Sequence, residues 1–134
     1  LAKANLANAN LREVILADAN CREAKFQGAD LRRADLSNVD FSNADLGVAI
    51  MRHANLSLAR LDGASLRGAD LAGGNLKGAS LKQTDMAGTN LLSADMRDSD
   101  WRTTVGLTQV QINKANADST TRLPAGLRIP VKDE

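Results

Sequence analysis

Written in rows of five, the chain places one large apolar side chain in a single column. It runs from Leu1, Leu6, Leu11 and Leu16 through Cys21, Phe26 and Leu31 to Leu91, Met96 and Trp101, with no row out of phase. Two places earlier in each row stands a small residue, Ala4, Ala9 and Ala19 at first and Ala64, Ala69 and Ala79 later, with Val14, Val39, Gly74, Thr84, Thr89 and Ser99 as exceptions. Between the two is Asp or Asn in most rows, as at Asn5, Asp30, Asp35, Asp45, Asp70 and Asp95. A period of five fits neither common element. In an α-helix successive members of the column lie roughly 140° apart, and in a straight strand they alternate between opposite faces, so neither yields an apolar side. The column points one way throughout only if the backbone turns after every row, which describes a solenoid of short extended segments joined by turns. Gly28, Gly63, Gly68, Gly73, Gly78 and Gly88 share one outer position and fit turns that need a positive φ.

Rows reading Ala-(Asp or Asn)-Leu-x-x, from Ala4-Asn5-Leu6 to Ser99-Asp100-Trp101, resemble those of the pentapeptide-repeat proteins, over roughly the first three quarters of the chain. The resemblance implies an all-β solenoid: a right-handed quadrilateral β-helix of about five coils, four rows to a coil, with the Leu and Ala positions inside. The chain then divides into a repeat domain over 1–104 and a C-terminal capping helix and tail over 105–134.

Charge placement offers a check on the four-sided geometry that does not use the family. With four rows per coil, residues twenty apart stack about 4.8 Å above one another, where like charges repel. The polar columns then read Asn20, Asp40, Arg60, Ser80, Asp100; Asn5, Lys25, Asp45, Ser65, Asp85; Asn10, Asp30, Ile50, Asp70, Asn90; and Ile15, Asp35, Asn55, Asn75, Asp95. No Asp stacks on an Asp. A three-sided coil would set Asp30 on Asp45 and would stack Asp70, Asp85 and Asp100 in succession.

After Trp101 the period stops. Thr108-Gln109-Val110-Gln111 has the form of a capping box and leads into Val110, Ile112 and Ala115, which predicts a short helix over about 109–117. Such a helix would fold over the open coil end and cover Trp101 and Leu107, since an uncovered end invites edge-to-edge stacking; a dimerisation or docking role is the sharper alternative. Leu1 has no comparable cover. Further residues before it are the simpler expectation, and pairing of the open coil with another chain, as in a homodimer, is the other.

Composition agrees with a narrow interior. The 134 residues are 43% hydrophobic but only 2% aromatic, so the core is built of Leu and Ala rather than rings. Phe26 and Phe41 each stand alone in their twenty-residue stacks, with Cys21 as a small neighbour beneath Phe41, and Trp101 comes at the last row, where the space opens. One Cys allows no internal disulfide, and no apolar run approaches the ~18 residues of a membrane-spanning helix.

Convergent chemistry is hard to build here. Asp30, Asp35, Asp40 and Asp45 lie on four different sides of such a coil and cannot share a metal or a proton. His53 is the only His, and Cys21 falls in the inner column as an apolar filler, so catalytic, cofactor and metal sites are not expected. One surface departs from the even spacing of charge. Arg12, Arg32 and Arg52 share a column, with Glu13, Arg33 and His53 in the next. This is either a solvated face neutralised by Glu13 and Asp30, or a site for an anion or acidic partner, because stacked guanidinium groups repel unless something negative lies across them. Ile50 on the same side, with Val48 and Leu58 around nearby corners, adds exposed apolar area.

The leading functional reading is a non-enzymatic structural or protein-interaction module with a protein partner, without a small-molecule substrate or nucleic acid. A membrane would be reached only through sequence outside these residues, and a cytoplasmic location is expected. The alternative comes from the resemblance: quinolone-resistance members of that family bind DNA gyrase by imitating duplex DNA. Mimicry needs a strongly negative rod, whereas residues 1–101 hold twelve Lys or Arg against thirteen Asp or Glu, a difference of minus one.

Overall fold

The computed structural model describes residues 1–131. Its backbone is a four-sided parallel coil in which each residue of the Asp/Asn column pairs with the one twenty positions on, Asn5 with Lys25, Lys25 with Asp45, and so to Asp85 with Val105. Asp30, Asp35, Asp40 and Asp45 pair with Ile50, Asn55, Arg60 and Ser65, so they do fall on four successive sides. The first side carries Cys21, Phe41, Leu61 and Trp101 inward, the second Phe26 and Leu66, the third Leu31 and Met51, and the fourth Leu36 and Leu56. All of these side chains are inaccessible to solvent.

Following the amides through one row shows why the pattern is strict. Leu31 N–H donates to Ile50 O in the next coil at 2.7 Å, Arg33 N–H to Arg52 O at 3.0 Å, and Asp35 N–H back to Val14 O at 2.9 Å. Ala34 N–H closes the turn on Leu31 O at 3.1 Å. That leaves Arg32 N–H, the one amide in the row without a backbone acceptor, and the Asp30 carboxylate takes it at 3.2 Å. The same side-chain bond recurs from Asn5 to Ala7, Asp35 to Ser37, Asp70 to Ala72 and Asp95 to Arg97. The Asp/Asn column therefore exists to accept an orphan amide two residues on, an Asx turn in every such row. Ile15, Lys25, Ile50 and Arg60 have no oxygen to offer it.

The turn residue shared by the six glycines is left-handed in every row from Lys3 to Asp98, with φ between 50° and 72°. Fourteen of these twenty positions hold a side chain, including Val48 at 50° and Leu58 at 59°. Outside glycine such a conformation costs about 1–2 kcal/mol, so the ladder imposes it against local preference. Glycine is thus a favoured occupant of the position rather than its requirement.

Phe26 and Phe41 stand alone in their stacks but not alone in the core. Fifteen residues apart, they lie on adjacent sides of successive coils and meet edge to face, with centroids 5.5 Å apart and planes at 90°.

The upper end is closed by α1, Gln109–Lys114, capped by a reciprocal Thr108–Gln111 box. It is three residues shorter than the sequence predicts because the chain is drawn back into the ladder. Ala115 is already extended, Asn116 pairs with Asp95 and Arg122 with Asp100, so α1 replaces the third side of a sixth coil. Ile112 is fully buried in the same core as Trp101. Gln111 Nε2 donates to Met86 O and Thr89 O at 2.8 and 3.0 Å, and Thr121 Oγ1 to Met96 O at 3.0 Å, giving partners to carbonyls at the top of the stack. The Trp101 indole donates to Ser99 Oγ at 2.6 Å, so the one polar ring atom in the core is satisfied. The tail is pinned to α1 where Arg128 exchanges two hydrogen bonds with the Gln109 amide, and residues 132–134 of the expected cap and tail lie outside the described residues.

Gly106 starts the cap at φ 80°, and a Cβ there would lie 2.9 Å from Ala87 N and 3.0 Å from its Cα. Backbone cannot yield as a side-chain tip can. Gly106→Ala should cost about 1–3 kcal/mol and lower the thermal midpoint measured by circular dichroism, with α1 less protected from proteolysis.

Candidate interaction surfaces

The corner between the third and fourth sides gathers the arginine column foreseen from the sequence. Arg12, Glu13, Arg32, Arg33, Arg52 and His53 line one recess of about 250 Å³. Two of the four arginines are locked. Arg32 grips Asp30 through Nε and Nη2 at 2.9 and 2.6 Å, and Arg52 Nε donates to Asp70 at 2.6 Å. Among the described residues Arg12 and Arg33 have no carboxylate within ion-pairing distance, and neither does His53. Neutralisation is therefore partial: Asp30 plays the part expected of it, Asp70 joins it, and Glu13 forms no ion pair with an arginine.

Asp70 escapes a reading by twenty-residue stacks because arginine reaches diagonally. Arg22 to Asp40, Arg52 to Asp70 and Arg67 to Asp85 all span eighteen residues, from a corner to the adjacent side one coil up. Ile50 is 37% exposed beside the recess and Val48, one corner away, is 63% exposed. Leu58, ten residues from Val48, is half a coil away and stands on the opposite corner, so it does not join this apolar patch.

The carboxyls of Asp30, Asp35, Asp70, Asp95 and Asp100 are held below their ordinary value. For Asp30, Asp95 and Asp100 the leading cause is the hydrogen bond from Arg32, Arg97 and Arg102; for Asp35 it is that from Ser37. At Asp70 burial pushes the carboxyl up, but bonds from Arg52, Ala72 N–H and Asn90 outweigh it. Cys21 is buried in the inner column and burial pushes its thiol up, away from the thiolate a nucleophile needs.

A second, larger recess of about 630 Å³ lies elsewhere on the coil. It runs along the corner between the first and second sides and is lined by Arg22, Ser42, Asn43, Arg60, Asp62, Gly63, Lys82, Gln83, Asp100, Arg102 and Thr103. Reading its corner column at twenty-residue spacing, Arg22, Ser42, Asp62, Lys82, Arg102, would have exposed its basic ends. Arg60, which comes from the side rather than the corner, completes it.

The repeats themselves match the pentapeptide repeat family in eight copies, over 4–43, 29–68, 40–78 and 64–100. The chain belongs to the pentapeptide repeat family. This pentapeptide repeat protein is similar to Rfr23 from the cyanobacterium Cyanothece 51142, with 27% identity, a TM-score of 0.61, and coverage of 82% of this chain and 64% of Rfr23. It is also similar to a pentapeptide repeat protein from the Arabidopsis thaliana thylakoid lumen, with 26% identity, a TM-score of 0.55, and coverage of 92% and 77%. QnrB1, a plasmid-mediated fluoroquinolone resistance protein, superposes with a TM-score of 0.77 over 90% of this chain and 61% of QnrB1; at 19% identity that likeness concerns the fold. The chain thus spans less than two thirds of the length of Rfr23 and of QnrB1. No curated protein sequence gives a significant match.

Because the folded carboxyls titrate below the unfolded value of ~3.9, their contribution is complete above that value and is lost as pH falls toward the folded ones. Thermal midpoints followed by circular dichroism should hold steady from about pH 7 to pH 5 and fall steeply below about pH 4. A midpoint unchanged at pH 3 would contradict these assignments.

Proposed function

We propose that the chain is a non-enzymatic interaction module that offers the corner between its third and fourth sides to an acidic face of a protein partner. The observation that carries this reading is the state of the recess arginines: Arg32 and Arg52 are fixed by Asp30 and Asp70, while Arg12 and Arg33 beside them have no carboxylate within ion-pairing distance among the described residues. Cations already held in place lose little freedom on binding, and guanidinium groups match carboxylates in pairs of hydrogen bonds. Ile50 and Val48 supply the apolar contact that interfaces combine with arginine. Ile50 also gives up the turn bond that Asp or Asn makes elsewhere in its column.

Mimicry of duplex DNA is supported less well. It calls for a continuous negative surface, whereas carboxylates such as Asp30, Asp70, Asp85 and Asp95 are bound by turn amides and arginines. Nucleic acid as a ligand is no better served, because Phe26, Phe41 and Trp101 are buried and offer no ring for base stacking.

Arg12→Glu with Arg33→Glu should leave the thermal midpoint within a few degrees of wild type and abolish retention of a protein that the wild-type chain captures and that cross-links at this corner. Equal retention by the variant would discard the reading. In a gyrase supercoiling assay micromolar protein should not inhibit; inhibition would favour the mimicry reading instead.

A further inference from the structure

The recess between the first and second sides belongs to a different corner and shares no residue with the surface above. Its cations again divide into fixed and free. Arg22 donates to Asp40 at 3.1 Å, and Arg102 grips Asp100 through Nε and Nη2 at 3.0 and 2.7 Å. Between them Arg60 and Lys82 have no carboxylate within ion-pairing distance among the described residues. The nearby acid pairs with neither: Asp62 Oδ1 accepts from Ser80 Oγ at 2.7 Å and from the backbone N–H of Lys82 at 3.0 Å, and Asp62 forms no salt bridge among the described residues.

The floor is equally specific. Gly63 leaves the corner of its coil without a side chain, and the Asn43 amide leans into the space where a Cβ would stand, 2.2 Å from Oδ1. Arg60 occupies a position where Asp, Asn or Ser would accept the turn amide, so an exposed arginine here costs a local hydrogen bond and gains no ion pair. An exposed basic residue thus stands against the local pattern, over a glycine floor and between two clamped arginines.

We propose that this recess binds an extended acidic peptide segment lying along the rod axis, with its carboxylates on Arg60 and Lys82 and its ends between Arg22 and Arg102. The groove crosses five coils, on the order of 19 Å at ~4.8 Å per step, which accommodates about six extended residues at ~3.3 Å each. Arg60 and Lys82 are one coil apart, about 5 Å along the axis plus the offset from side to corner. That is comparable with the ~6.7 Å between alternate residues on one face of an extended chain. A peptide is favoured over an oligonucleotide because the groove contains guanidinium, ammonium, amide and hydroxyl groups but no aromatic surface.

The test is fluorescence anisotropy of a dye-labelled hexaglutamate peptide titrated with the full chain at low salt. Saturable binding is expected, weakened at least tenfold by Arg60→Asn with Lys82→Gln and changed less than twofold by Arg12→Glu with Arg33→Glu. Arg60→Asn restores an acceptor for the turn amide, so the thermal midpoint of that variant should equal or exceed that of wild type, separating lost binding from lost fold. The proposal is overturned if hexaglutamate does not saturate, if the two variant pairs lose binding equally, or if hexathymidylate binds as tightly as the peptide. Those results leave the partner at the Arg12–Arg33 corner to be judged by its own variants.

Discussion

The pairing of residues twenty apart is the constraint on which the rest of this molecule depends. It takes three of the five amides in a row, the turn takes a fourth, and only one is left for a side chain. Because the ladder runs parallel with a rise near 4.8 Å, the side chain facing inward must fit beneath an identical position in the next coil. The interior therefore holds one Leu-sized and one Ala-sized group per row. Rings enter where the geometry allows: Phe26 against Phe41 across adjacent sides, and Trp101 beneath the cap with a hydroxyl to satisfy its indole. The stack has exposed edges only at its ends, and Gln111 and Thr121 turn the upper one into a set of satisfied carbonyls.

The remaining amide connects stability with surface chemistry. An Asp or Asn at that position closes the turn, and its oxygen also receives neighbouring arginines and serines, as Asp30 does from Arg32 and Asp40 from Ser42. Much of the surface charge is consequently consumed within the fold. The places where the chain forgoes this bond stand out. Of the four, Ile15, Lys25, Ile50 and Arg60, Ile50 lies beside one basic recess and Arg60 lines the other. Val48 holds the left-handed turn that the ladder imposes in every row, at a higher local cost than glycine would.

The period of five, the inward column and the four sides were legible because burial and like-charge repulsion act directly on residue type. The arginine recess was legible for the same reason, since Arg12, Arg32 and Arg52 share one stack. Other features depend on reach and on tertiary competition. The Arg52–Asp70 bond crosses from corner to side, so no single stack contains it. The helix ends at Lys114 because Asn116 finds a ladder partner, a contest that the sequence of 115–117 does not reveal. The second recess draws on a corner and a side together and on the absence of a side chain at Gly63, so neither a charge run nor a motif marks it.

Native-state hydrogen exchange against denaturant reports the ladder bond by bond and so measures its cooperativity. The amides of Leu31, Leu46, Leu56 and Leu66 should exchange only through a common global opening with one denaturant dependence, while Leu6 and Leu11 in the partly exposed first coil should exchange faster. Middle-coil amides that open independently, each with its own free energy and little denaturant dependence, would contradict a fold held together by cooperative pairing between coils.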